Sequence, residues 1–203
     1  MTYVQKIGLS ASADRLEKLI GERLAPNADK AAIDARIWAL FGEEWAVMFT
    51  DLAGFSRNAA AFGIIHFLQV IQESQRLVVP CVESHDGILL KTEGDSLLVI
   101  FRRTANAVEC AMQMQRVCQD YSRSKDPEEQ INLCIGLGFG QVLRIGDHDV
   151  YGAEVNAAAK LGEDIAGAHQ IFVTESVRNE VQGAYSFEPI SEILADRHYL
   201  HPD

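Results

Sequence analysis

The chain has 203 residues, of which 48% are hydrophobic and 23% charged, and its formal net charge is −11. This balance is typical of a globular protein that buries a core without needing a disulfide or a structural metal. The acidity excludes a reader of the phosphate backbone, which would present a basic surface, so we expect no nucleic-acid partner. No apolar run approaches the roughly 18 residues of a membrane span, so we expect no membrane partner.

The cysteines favour a reduced protein. Cys81, Cys110, Cys118 and Cys134 are scattered along the chain without a CxxC pair. That spacing suits buried thiols better than a disulfide framework or a zinc site. Because the chain also begins without a secretory signal pattern, we expect a cytoplasmic location.

Two units are predicted along the chain. Residues 1–43 form an N-terminal helical appendage, in which one helix runs through Leu24 and Asp29 opens a second. Residues 44–203 form the main domain. The sequence leaves open whether the appendage packs, dimerises or transmits a signal.

The main domain alternates strands and helices. Apolar runs and helical spacing predict strands at 45–50, 87–91, 96–101, 131–137, 141–145 and 170–173, and helices at 59–80, 104–121 and 156–165. Within the first of these helices, an apolar stripe is formed by Phe62, Ile65, Leu68 and Ile71. The order β-α-β-β-α-β is the ferredoxin-like, split βαβ arrangement, which predicts an α+β fold with an antiparallel sheet flanked by helices.

This topology brings two carboxylates together. The first strand pairs antiparallel with the third, so its end lies beside the hairpin between strands two and three. Asp51 follows the first strand and Asp95 lies in that hairpin. Two carboxylates together with phosphate oxygens are ligands that magnesium prefers. Each residue also has a structural role open to it, since Asp51 can cap the following helix and Asp95 can serve the turn.

Four segments resemble a known family. FTDLAGFS, LLKTEGDSLLVIF, GLGFGQV and DVYGAEVNAAAKL are similar to motifs of the class III nucleotidyl cyclase catalytic domain, in the family's order. The resemblance runs from about Trp45 to Val181. It implies a nucleotide cyclase fold and a magnesium-dependent site for a nucleoside triphosphate.

The resemblance assigns the metal ligands by position. It implies that Asp51, Asp95 and the carbonyl of Leu52 hold two Mg²⁺ ions, for which Mn²⁺ can substitute. Phe55 and Ser56 lie in the turn that follows and are candidates for substrate binding, since backbone N–H groups at such a turn hold phosphate oxygens.

Lys91 and Asp149 occupy the positions where adenylyl members of the family read the base. A lysine only donates, here to a purine ring nitrogen, whereas an aspartate only accepts, here from an exocyclic amine. ATP is therefore the expected substrate. Without the resemblance, Lys91 is equally a solvated strand-end residue and Asp149 a turn residue.

Asn156 and Lys160 share one helix face and correspond to the family's catalytic pair. The family usually has arginine at the second position, and lysine keeps the charge but loses the planar fork that grips two phosphate oxygens. No lysine follows Lys160, although the family often has one that reaches the triphosphate. Arg178 and Arg197 are the candidates to replace it.

The resulting expectation is a homodimeric adenylyl cyclase that makes 3′,5′-cyclic AMP and pyrophosphate at sites shared between two chains. Two alternatives stay open. One is a cyclase that prefers GTP or a pyrimidine nucleotide, and the other is a catalytically weak nucleotide-binding module for signalling.

Overall fold

The computed structural model describes residues 11–54 and 62–190, and the backbone of residues 197–200. Its helices are α1 (Ala11–Arg23), α2 (Lys30–Phe41), α3 (Ile64–Ser84), α4 (Thr104–Ser122), α5 (Ala153–Ala159) and α6 (Glu175–Glu180). Its strands are β1 (Gly42–Leu52), β2 (Ile88–Glu93), β3 (Ser96–Phe101), β4 (Leu133–Ile145), β5 (Asp149–Tyr151), β6 (Ile171–Thr174), β7 (Phe187–Pro189) and β8 (Arg197–Leu200). A 3₁₀ turn at Pro127–Glu129 precedes β4, and a π-helical turn at Lys160–Ile165 continues α5.

The described strands form one sheet in the order β2-β3-β1-β4-β6-β8-β7, with β5 paired to β4. β1 pairs antiparallel with both β3 and β4, while β4 and β6 are parallel. The predicted α+β fold, with helices flanking an antiparallel sheet, is confirmed. No helix in the described part of the chain combines the length and apolar character that crossing a membrane requires.

Both faces of the sheet are covered, but unequally. Successive strand residues point to opposite faces, so Ala46 and Met48 of β1 belong to one core while Trp45 and Val47 belong to another. The first core is the larger and lies under α3 and α4. The second is small and lies under α5, which leaves room on that face for an open cleft.

The N-terminal helices pack at the end of β4. Leu19, Ile33, Ile37 and Phe41 are buried in a cluster with Ile145. The side chain of Asp29 caps α2, as predicted, by accepting from the N–H of Ala32. All four cysteines are free and buried, which agrees with the sequence expectation.

Four details differ from the sequence expectation. The separate strands predicted at 131–137 and 141–145 are a single strand, β4, so the prediction of two strands is wrong. Helix α3 continues through the exposed Pro80 to Ser84. Of the predicted stripe, Phe62 precedes α3 and is exposed, as are Ile65 and Leu68, whereas Ile71 packs against the larger core. Strands β5, β7 and β8 were not predicted.

Glycines in β4 allow α5 to lie directly on the strand. A Cβ at Gly136 would be 2.1 Å from the carbonyl oxygen of Ala158, and one at Gly138 would be 2.4 Å from that of Glu154. Neither distance is possible for real atoms, so only glycine permits this approach. The close contact fixes the position of α5, which carries Asn156.

We expect the substitution Gly136→Ala to destabilise the fold by about 2 kcal/mol, because the added methyl must displace the backbone of α5. Chemical denaturation measures the change in unfolding free energy. The matched control is Gly21→Ala in the exposed α1, where a Cβ meets nothing within 4 Å and helix propensity favours alanine. Equal stabilities for the two variants would contradict the close packing.

Candidate active site

Asp51 and Asp95 meet at the edge of the sheet, as the topology predicted. Thr50 of β1 pairs with Leu97 of β3, which sets Asp51 beside the start of β3. Asp95 lies in the tight turn between β2 and β3, where Gly94 has a φ of +62°. Ser96 bridges the two segments, since its Oγ donates to Oδ1 of Asp51 at 3.4 Å.

The two carboxylates are held in a costly electrostatic state. Burial raises the pKa of Asp51 above its usual value, against hydrogen bonds that lower it. Burial and the charge of Asp51 raise the pKa of Asp95 to about 6. Oδ2 of Asp95 is buried and has no hydrogen-bond partner among the described residues. Like charges this close, with an unpartnered oxygen, favour a cation between them.

The chemistry of this pair fits magnesium. Magnesium keeps several waters and uses one or two carboxylates together with substrate phosphates, so it needs no all-protein cage. Consistently, no group of three or more His, Cys, Asp or Glu side chains in the described ranges is arranged to hold a metal by itself. Leu52 ends β1 beside the pair. A hydrogen bond from its backbone opposes, without cancelling, the rise in the pKa of both aspartates.

A cleft of about 280 Å³ opens next to the carboxylate pair, on the face covered by α5. Its polar lining includes Lys91, Asp149 and Asn156, three of the residues that the sequence singled out. Nζ of Lys91 lies 3.1 Å from Oδ2 of Asp149. Burial alone would lower the pKa of Lys91, but the carboxylates of Asp149 and Glu93 raise it overall, so the lysine is charged.

A β-bulge aims Lys91 into this cleft. Leu89 pairs with Val99 and packs on the larger core, but the next paired residue is Lys91, opposite Leu98 of the smaller core. The skipped residue, Leu90, also packs on the smaller core. In a regular strand Lys91 would share the face of Leu89 and point away from the cleft.

Asn156 and Lys160 have different surroundings. Asn156 lines the cleft from α5, whereas the exposed Lys160 begins the π-helical turn and is not part of the described lining. The same turn carries Glu163, which lines the cleft. Burial and the charge of Asp51 raise the pKa of Glu163, so this carboxylate lies within electrostatic reach of the aspartate pair.

Glu154 anchors α5 at its first turn. Its Oε2 accepts hydrogen bonds from the N–H of Phe139 at 3.1 Å, from Oγ1 of Thr174 at 2.7 Å and from Oγ of Ser176 at 2.8 Å. These bonds tie the helix that carries Asn156 to β4, β6 and α6. A carboxylate that accepts three bonds fixes the helix against rotation and sliding.

Several functional candidates were missed by the sequence analysis. Glu93 was detectable, because residues two apart on a strand share a face and Glu93 follows Lys91 at that spacing. Glu163 was detectable too, because residues seven apart on a helix share a face and Glu163 follows Asn156 at that spacing. Glu154 gave no signal, because its partners are distant in sequence.

Other predicted residues fall elsewhere. Phe55 and Ser56 lie outside the described residues, as does the side chain of Arg197. Arg178 forms an ion pair with Glu175 on α6 at 2.8 Å. It is not among the described residues of the cleft. Neither arginine therefore gains structural support as a substitute for the missing lysine.

Comparisons with known proteins give a consistent result. The model of the adenylate and guanylate cyclase catalytic domain matches residues 42–195. The chain is 30% identical over 131 residues to a serine/threonine-protein kinase of Myxococcus xanthus, covering 64% of this chain and 16% of that protein. It is 28% identical over 138 residues to a Rhizobium meliloti protein named as a putative adenylate cyclase. That match covers 68% of this chain and 23% of the relative. The chain thus spans less than a quarter of either relative.

A solved structure shares the fold. The adenylate/guanylate cyclase/hydrolase from Silicibacter pomeroyi superposes with a TM-score of 0.67 at 24% identity. The match covers 78% of this chain and 95% of that one. At this identity the similarity shows the fold alone.

The raised pKa of Asp95 predicts that the free energy of unfolding depends on pH. Because the folded pKa is about 6 and the usual value is 3.8, the fold binds this proton more tightly than the unfolded chain does. Stability from this residue is therefore lost as the pH rises through about 6. We expect Asp95→Asn to melt above the wild type at about pH 8, and the difference to close near pH 4.

Thermal melts across this range, with and without millimolar Mg²⁺, check the prediction. Magnesium is expected to stabilise the wild type but not Asp95→Asn. The control is Asp120→Asn, which changes an exposed carboxylate of α4 that forms an ion pair with Arg123. Its melting profile is expected to follow that of the wild type. Parallel pH profiles for Asp95→Asn and the wild type would contradict the interpretation.

Proposed function

This chain belongs to the adenylate and guanylate cyclase catalytic domain family, and we propose that it converts ATP to 3′,5′-cyclic AMP and pyrophosphate. The observation that carries the choice of ATP is the contact between Lys91 and Asp149 in the cleft. A donor and an acceptor side by side are complementary to the edge of adenine, whose ring nitrogen accepts and whose amine donates.

Base binding replaces the contact between Lys91 and Asp149. Each side chain exchanges this partner for one on the adenine, so both keep a hydrogen-bond partner when the base is bound. The apolar part of the lining, Val150 and Val155 among it, contacts the flat faces of the ring. Together these contacts orient the ribose toward the carboxylate pair of a second protomer.

The reaction forms a bond between the ribose 3′-oxygen and the α-phosphorus and breaks the bond to pyrophosphate, while the hydroxyl proton leaves. Two Mg²⁺ ions held by Asp51, Asp95 and the Leu52 carbonyl, with Mn²⁺ able to substitute, would activate the attacking oxygen and neutralise the leaving group. Backbone N–H groups at Phe55 and Ser56 are proposed to hold phosphate oxygens.

Asn156 and Lys160 are proposed to stabilise the charge that develops on the transferring phosphoryl group. Glu154 would position both residues through its hold on α5. Lys160 supplies a point charge where a guanidinium would supply two parallel hydrogen bonds, so we expect modest turnover.

We propose that the active site forms between two copies of the chain. One protomer would supply Asp51 and Asp95, and the other Lys91, Asp149 and Asn156 with Lys160. Because each chain carries both sets, a symmetric dimer would contain two complete sites.

A second candidate function rests on Lys160. Lys160 is exposed at the π turn and Arg178 is engaged in an ion pair, so neither of these described residues is held toward the cleft. A nucleotide-binding module that signals through its N-terminal helices is compatible with that arrangement. A cyclase that prefers another base is the third candidate.

Product analysis with ATP, GTP, CTP and UTP, in Mg²⁺ and in Mn²⁺, tests the proposal. The expected result is a cyclic product with the highest kcat/KM for ATP. Preference for another triphosphate contradicts the roles given to Lys91 and Asp149. Nucleotide binding without any cyclic product favours the binding module.

Mixing two inactive variants tests the shared site. Asp51→Ala and Asn156→Ala are each expected to lose turnover. Their mixture should regain about a quarter of wild-type activity, since half the dimers are mixed and each holds one intact site. The control mixture, Asp51→Ala with Asp95→Ala, damages the same half of every site and should stay inactive. Recovery in neither mixture would contradict a site shared between chains.

A further inference from the structure

Glu93 lies against Lys91 on the side that the proposed reading of adenine does not use. Its Oε1 is 3.2 Å from Nζ of Lys91, while Oδ2 of Asp149 is 3.1 Å from the same nitrogen. One ammonium group is thus flanked by two carboxylates in the described cleft. Adenine needs only one of them.

The strand geometry directs Glu93 toward a ligand. Glu93 is two residues after Lys91 on β2, so both side chains lie on the cleft side of the sheet, beyond the bulge at Leu90. Glu93 lines the cleft, yet its side chain is 72% exposed. Its oxygens can therefore change partner at little cost in buried charge.

The charge pattern is complementary to guanine as well as to adenine. The guanine edge presents an oxygen that accepts and, beside it, a ring N–H and an amine that donate. A lysine next to a carboxylate matches that set, because the lysine donates to the oxygen and the carboxylate accepts both N–H groups. With adenine bound, the same lysine donates to the ring nitrogen and Asp149 accepts from the amine.

We propose that Glu93 is a specificity-determining residue that allows the cleft to accept GTP as well as ATP. This inference rests on the proposed function, since it concerns the substrate of the same site. Asp149 serves adenine and Glu93 serves guanine, with Lys91 common to both. ATP remains the better substrate, because the exposed Glu93 is less well ordered by its surroundings than Asp149, whose side chain is 26% exposed.

Kinetics of Glu93→Ala and Glu93→Gln with both nucleotides test the inference. In Glu93→Ala, kcat/KM for GTP is expected to fall by about 10- to 100-fold, the effect of losing a hydrogen-bonded charged group. The value for ATP should stay within about threefold. Glu93→Gln keeps one acceptor oxygen and should lie between Glu93→Ala and the wild type for GTP.

The matched control is Glu73→Ala, which removes an ion-paired glutamate from the surface of α3, away from the cleft. It should leave both nucleotides unchanged. Equal losses for ATP and GTP in Glu93→Ala, or a wild type that neither binds nor cyclises GTP, would overturn the role of Glu93.

Binding of non-cyclisable ATP and GTP analogues, measured by calorimetry on the same variants, separates this inference from the proposed function. Selective loss of GTP-analogue binding in Glu93→Ala, in a protein that forms no cyclic product, would support Glu93 and contradict the cyclase activity. ATP cyclisation with no GTP-analogue binding by the wild type would support the activity and contradict Glu93.

Discussion

The antiparallel pairing of β1 with β3 and β4 is the constraint on which the candidate active site depends. Its register with β3 brings Asp51 to Ser96 and the turn that carries Asp95. Its register with β4 spans all of β1, from Gly42 to Leu52, and so holds the strand on which α5 packs. A slip of β1 by one residue would turn Asp51 to the other face and separate the two carboxylates. The central strand therefore positions the side chains of the candidate active site as well as those of the core.

Much of this arrangement could be predicted from the sequence, because it follows from element order alone. The meeting of Asp51 with Asp95 requires only the split βαβ topology, and the contact between Lys91 and Asp149 agrees with their assigned positions. Features that depend on a single extra residue were not predictable. The bulge at Leu90 and the π turn at Lys160 interrupt the regular periods of 2 and 3.6 from which sequence patterns are interpreted.

The apolar stripe before and along α3 shows what helical spacing leaves undecided. Ile71 packs against the larger core, yet Phe62, Ile65 and Leu68 are exposed. Spacing identifies a helix but not the face that contacts the sheet, which is decided by tertiary packing. The candidate site shows the converse, because two charged residues are partly buried there. Burial of Asp51 and Asp95 raises the pKa of both and lowers the stability of the fold when they are ionised. Local cost at such a position is expected of a functional site.

The bulge at Leu90 has a consequence for how this protein can evolve. Beyond it, odd-numbered residues of β2 such as Lys91 and Glu93 lie on the cleft side, and Thr92 pairs with Leu97 on the opposite face. Substitutions can therefore change the polar lining of the cleft one side chain at a time. Gain or loss of one residue in this short stretch would instead exchange the two faces. Variation among related chains should thus alter the identity of these residues while keeping the length of the hairpin constant.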